Sequence, residues 1–163
     1  MKQLKNKQGF TLIELLAIIV VLAIVLLMGA MAIIPRLNDA RKQVFALEAN
    51  TAIQAATTYF MNNALNPSAD APTFPVGDNE KKCVTVEKLI ESGNFKADKD
   101  KYSGYVIVTK KANSSGYLYT INMTNETLMV VGAGLNADKN DNKDVTSTDV
   151  KDYTSSFSAT CPS

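Results

Sequence analysis

The chain has 163 residues, with 17 Lys plus Arg against 16 Asp plus Glu and a formal charge of +1. That length suits one globular domain with an appendage, and the balanced charge argues against nucleic acid as the main partner, since nothing is left over to neutralise a phosphate backbone. Histidine is absent, which removes imidazole acid–base catalysis, Ser–His and Cys–His nucleophile pairs and imidazole metal sites.

Residues 1–9 are short and polar, with Lys2, Lys5 and Lys7 and no acid. Phe10-Thr11-Leu12-Ile13-Glu14 follows, and from Leu15 to Ile34 there are 20 positions without a charge. At about 1.5 Å rise per residue this run covers about 30 Å, one hydrocarbon thickness. It is apolar on every face, which is a poor fit to a core helix of so small a domain. A secretory signal fits the basic start, but its apolar region is usually about 7–15 residues, and no A-x-A-like site follows here. A plain transmembrane anchor fits, and so does an anchor processed at its front end. Three lysines precede the run, while Arg36, Arg41 and Lys42 follow it, so the charge rule alone sets orientation weakly. The bulk of the C-terminal part and its two cysteines point to that part lying outside the membrane.

After Pro35 the pattern turns amphipathic. Leu37, Ala40, Val44, Leu47, Ile53, Ala56 and Phe60 recur at steps of mostly three or four, with Arg36, Asp39, Arg41, Lys42, Glu48 and Gln54 largely between them. This spacing predicts one nearly continuous helix from about Phe10 to about Asn62, roughly 80 Å long, whose back half packs its stripe on a domain. Gly29 and Pro35 are its weak points, and a kink or a loosened turn is expected near them, because proline removes a backbone donor and clashes one turn back.

Residues 63–84 contain Pro67, Pro72, Pro75 and Gly77 and read as a connecting loop. Val86–Ser92 reads as a short helix with Thr85 as N-cap and Gly93 just past its end. Tyr105–Thr109, Tyr117–Met123 and Leu128–Val131 read as strands of an antiparallel meander, separated by the turn-like Asn113–Gly116 and Thr124–Glu126. One face of the meander would pack on the long helix, an α+β arrangement.

Residues 136–156 are polar. Asp138, Asn140, Asn142, Asp144 and Asp149 stand near the offsets of a calcium loop, but Lys143 stands where the turn glycine belongs and Asp149 where a bidentate Glu belongs, so a solvated loop without metal is the preferred reading. Cys83 and Cys161 are the whole cysteine inventory. An even count outside the cell reads as one disulfide, with two free thiols as the alternative. Asn113, Asn122 and Asn125 open N-x-[ST] triplets, a weak signal. No C-x-x-C, S-x-x-K, P-loop or G-x-G-x-x-G occurs, and no nucleophile–base–orienter set can be assembled without histidine. The chain is therefore read as neither an enzyme nor a cofactor carrier.

The stretch Lys7-Gln8-Gly9-Phe10-Thr11-Leu12-Ile13-Glu14-Leu15-Leu16 resembles the processing site of type IV pilins and the related pseudopilins. Cys83-Val84-Thr85-Val86-Glu87-Lys88-Leu89-Ile90-Glu91-Ser92-Gly93 also looks like pilins of Gram-positive bacteria, less specifically. The resemblance implies a leader over residues 1–9, a membrane and filament-core helix over 10–35, an amphipathic continuation over 36–62 and a head domain over 63–163. It implies cleavage between Gly9 and Phe10 by a prepilin peptidase, N-methylation of Phe10, and Glu14 as the carboxylate needed for assembly. The implied partners are the lipid bilayer, an inner-membrane assembly platform, minor pilins and further copies of the chain in a helical extracellular filament. One departure is that the family's helix-breaking proline usually comes about one turn earlier, where this chain has Met31. The alternatives are a pseudopilin of a secretion or DNA-uptake system and an anchored surface-binding domain that never polymerises.

Overall fold

The computed structural model describes residues 11–66, 72–136 and 139–162. Helix α1 runs Leu12–Leu65, followed by β1 Lys81–Thr85, α2 Val86–Glu91, β2 Ser103–Lys110, β3 Tyr117–Thr124, β4 Leu128–Ala133, β5 Leu135–Asn136, β6 Asp141–Asn142 and β7 Val150–Asp152. The chain divides into two compact units, residues 1–39 and 40–163. The layout is a long N-terminal helix followed by a small antiparallel sheet, the α+β arrangement that the sequence implies.

In the first unit α1 continues through Pro35 without a break. The kink or loosened turn expected near Gly29 and Pro35 does not interrupt the element. Gly29 has no neighbouring atom within 4 Å of where a Cβ would stand, so no close packing calls for a glycine there.

In the second unit five strands form one sheet in the order β1-β2-β3-β4-β7, every neighbouring pair antiparallel. Strand β2 alternates with a period of two, so Val106 and Val108 are buried while Tyr105 and Ile107 lie half-exposed on the other side. Val84, Ile121, Met123 and Val130 join the buried set, and the core closes over them with Phe45, Ala49, Ala52, Ala56 and Phe60 of α1. At Gly104, φ is +135°, and a Cβ would stand 2.1 Å from the Asn122 carbonyl oxygen, so only glycine lets β2 approach β3 there. A register shift separates Ile121 from Met123 in the β3–β4 pairing, and the buried Asn122 side chain accepts the Gly132 amide at 3.0 Å. That bond supplies an acceptor for a backbone donor beside the irregularity.

Helix α2 matches its expected start and stop. Thr85 accepts the Lys88 amide, and Gly93 lies at φ +73°, the left-handed residue that ends a helix.

Three expectations are corrected. Helix α1 ends at Leu65 rather than about Asn62. Its buried face is also not the expected stripe: Leu37, Val44 and Leu47 are 52%, 55% and 65% exposed, while Phe45, Ala46, Ala49, Ala52, Ala55 and Tyr59 are buried beside Ala56 and Phe60. Small side chains bring a helix close to a sheet, so the alanine face packs although the aliphatic face is more apolar. The third correction concerns stretches read as loop that contain strands. Residues 63–84 hold β1, and the polar 136–156 stretch holds β6 and β7. β1 and β7 are the sheet's edges, where polar residues are tolerated on the exposed side.

Candidate functional site: the start of the long helix

Gly9 and Phe10, the expected cleavage and methylation positions, lie outside the described residues, as does Asp138. The description of the site therefore begins at Thr11. Thr11 precedes the first helical residue, and Glu14 sits in the first turn. The Glu14 amide donates to Thr11 Oγ1 at 3.3 Å. In return Glu14 Oε2 accepts the Thr11 amide at 3.0 Å and the Thr11 hydroxyl at 3.1 Å. This is a reciprocal capping box, which satisfies donors that every helix start leaves without an intrahelical partner. Its sequence signal is T-x-x-E ahead of an apolar run, here Thr11-Leu12-Ile13-Glu14.

Beyond Glu14, every side chain described from Leu15 to Ile34 is exposed, Leu26 to 71%. The helix is long and apolar enough to cross a membrane, and none of its most apolar stretch is buried within the chain. So complete an apolar surface needs lipid or other helices around it. Glu14 lies at the edge of this surface, within the first turn of α1. A carboxylate there complements the positive end of the helix dipole, and it stands four positions after Phe10 in the chain.

The other sequence candidates lie in the second unit. Cys83 and Cys161 are bonded, with Cα atoms 5.9 Å apart. The Asn142 side chain is engaged by β3. Its Oδ1 accepts the Tyr119 amide at 2.8 Å and its Nδ2 donates to the Tyr117 carbonyl at 2.9 Å, so the carboxamide acts as an extra peptide group against β3. Asp149 accepts the Thr146 amide at 3.0 Å and hydroxyl at 2.9 Å, with Lys143 Nζ at 3.2 Å. Burial opposes its charge, but these donors hold its carboxyl below the ordinary carboxylate range. Asn140 lies at φ +46° and is exposed, as is Asp144. Among the described residues no three of His, Cys, Asp and Glu come together as a metal-binding group. Of the three glycosylation-type triplets, Asn122 is buried on Gly132 and Asn125 accepts the Thr127 and Leu128 amides.

No curated protein and no solved structure gives a significant match to the chain. Residues 4–30 match the family model of the prokaryotic N-terminal methylation motif, and this span contains Gly9, Phe10, the Thr11–Glu14 capping box and most of the uncharged run. The motif implies processing by a prepilin peptidase, and with the exposed apolar helix it points to membrane anchoring. Over its N-terminal segment the chain carries the signature of the type IV pilins and pseudopilins.

Proposed function

We propose that this protein is a structural subunit of a type IV pilus, without catalytic activity or cofactor. The chain enters the membrane through Leu15–Ile34 with residues 1–9 on the cytoplasmic side and the second unit outside. Cleavage after Gly9 turns the Phe10 nitrogen from a neutral amide into an α-ammonium, which is then methylated. In a stacked array of such helices, Glu14 of one copy pairs with the Phe10 ammonium of its neighbour. A carboxylate held near hydrocarbon is costly, and a cation brought to the same place offsets that cost. The pairing sets the axial register, and packing of the apolar runs supplies most of the cohesion. Prepilin peptidase, an assembly platform and minor pilins are the machinery this reading requires.

The observation that carries the proposal is the placement of Glu14 inside the methylation motif, at the head of an apolar surface that the chain itself leaves uncovered. Intact-mass measurement of protein recovered from cells tests it first. The expected species lacks residues 1–9 and carries one methyl group on Phe10. Electron microscopy of cells with and without the gene tests it second, and surface fibres are expected to depend on the gene. Protein that still begins at Met1 would overturn the proposal.

A further inference from the structure

On α1, Leu37, Ala40, Val44, Leu47 and Thr51 are spaced 3, 4, 3 and 4 apart, the a and d positions of a heptad. Upstream the same spacing continues through Ile33, Ala30, Leu26, Ala23, Ile19 and Leu16. The residues that α1 buries on its own sheet, Phe45, Ala49, Ala52 and Ala56, occupy b and f positions on the opposite face. The back half of the helix therefore has two apolar faces, and the sheet uses one. The other opens onto a groove of about 540 Å³ lined by Val44, Leu47 and Thr51 of α1 and by Phe95, Ala97 and Tyr102 of the segment after α2. Glu48 of α1 stands in its wall, with Lys96, Asp98 and Lys101 on the opposite side.

A 3.5-residue period suits a helix as the occupant, since a/d knobs pack into the holes of a second helix. The charges select among registers. In a parallel pair the g position of one helix faces the e position of the next heptad on its partner. Arg36 and Gln43 are g positions, and Arg41 and Glu48 are e positions. With two copies level, Arg36 faces the other copy's Arg41 at two symmetric places, and like charges repel. Sliding one copy by one heptad, about 10.5 Å, removes both clashes. The second copy's Arg36 then meets Glu48, its Arg41 meets Gln43, and its Leu37 and Ala40 lie level with Val44 and Leu47.

We infer that this groove receives residues 36–40 of a second copy of the chain, parallel and advanced by one heptad, with Arg36 of that copy paired to Glu48. The inference rests on the filament reading and names a contact for it outside the membrane run. It extends the helix-on-helix interface past Ile34, into the part of α1 that bears charges.

Cysteine cross-linking in assembled fibres tests the register. Full-length chains carrying Leu37→Cys with Val44→Cys, or either change alone, are oxidised in sheared fibres and separated without reductant. Cys83 and Cys161 are already bonded to each other and do not intrude. The paired variant is expected to give a ladder of covalent multimers, and each single variant to stay monomeric. Intact fibres with no ladder, or dimers from Val44→Cys alone, would overturn the contact while leaving the filament reading standing. Charge exchange gives a second readout that does not need the cysteines. Arg36→Glu is expected to lower fibre yield at least tenfold, and Arg36→Glu with Glu48→Arg to recover most of it. Wild-type yield from the single reversal, or no recovery in the double, would refute the pairing. Absence of fibres from the wild-type chain would remove the filament reading and this contact together.

Discussion

Glu14 shows how one residue carries both a local and an intermolecular role. In the single chain its carboxylate is held by the Thr11 amide and hydroxyl, which fixes where the helix begins. Glutamine can serve the same capping box but cannot offer a charge. Glu14→Gln therefore separates the two roles: the variant is expected to be cut after Gly9 at the normal rate yet to be lost from fibres, read by intact mass and by fibre yield. Wild-type yield would show that the box, not the charge, matters. A second residue-scale prediction concerns Glu80. Hydrogen bonding from the Gly77 amide, from Lys82 and from the Val76 amide pulls its carboxyl down from 4.5 to about 2. A carboxyl lowered on folding contributes stability above its unfolded pKa and loses it as the pH falls through the folded value. The Val76–Glu80 turn should stay closed at pH 5 and open between about pH 4.5 and 2, seen as faster exchange of the Val76 and Gly77 amides. Much of the site at this scale was legible, because the Gly9–Glu14 motif is written in consecutive letters. Asn142 and Asp149 were not legible, because the partners that occupy them are the β3 backbone at Tyr117 and Tyr119 in one case and Thr146 with Lys143 in the other.

At the scale of elements, the two faces of α1 make opposite predictions. Ala52 is fully buried on the face that packs against the sheet, and Ala52→Leu adds bulk where the fit is closest. Its expected cost is about 1–3 kcal/mol of stability, measured by urea unfolding of the full chain in detergent. Leu47 is 65% exposed, so Leu47→Ala should change the same unfolding by only about 0.5 kcal/mol or less, even if it lowers fibre yield. The contrast explains why the packed face is not the one that periodicity points to. Periodicity points to the aliphatic stripe through Leu37, Val44 and Leu47, whereas close approach to a sheet favours the face of small side chains at Ala46, Ala49, Ala52 and Ala55. Strands β2, β3 and β4 were legible because Tyr105–Val108, Tyr117–Met123 and Leu128–Val131 are rich in β-branched and aromatic residues. Strands β1 and β7 were hidden by edge chemistry. Lys81-Lys82 and Lys151-Asp152 point their polarity outward, and only Val84 and Val150 report a core.

At the largest scale the covalent path matters most in the second unit. The C-terminal tail leaves β7 at one edge of the sheet and ends at Cys161, bonded to Cys83 in β1 at the other edge. Between them Thr154, Ser156, Phe157 and Ser158 line a cavity of about 290 Å³ with Tyr105, Asn122, Met129 and Val131 of the sheet's outer face. Among the described residues, the last backbone hydrogen bond from this tail to the sheet segment is the Tyr153 amide on the Thr127 carbonyl, 2.9 Å. Past that point the tail is held by the half-buried Phe157, by the Thr154 hydroxyl on Met129 Sδ and by the disulfide. The bond closes a loop of 78 positions, which in the chain-entropy picture corresponds to about 4 kcal/mol. Cys83→Ser with Cys161→Ser should therefore lower the stability of the second unit by a similar amount, read by denaturant unfolding. Its local effect should be uneven. Residues 155–161 are expected to exchange their amides freely in the variant, while the β4–β7 pairs Leu128–Asp152 and Val130–Val150 stay protected, because no ladder bond is removed. Protection retained in 155–161 would assign the tail's order to the Phe157 seat. Protection lost in β7 as well would mean that the sheet edge depends on the same link.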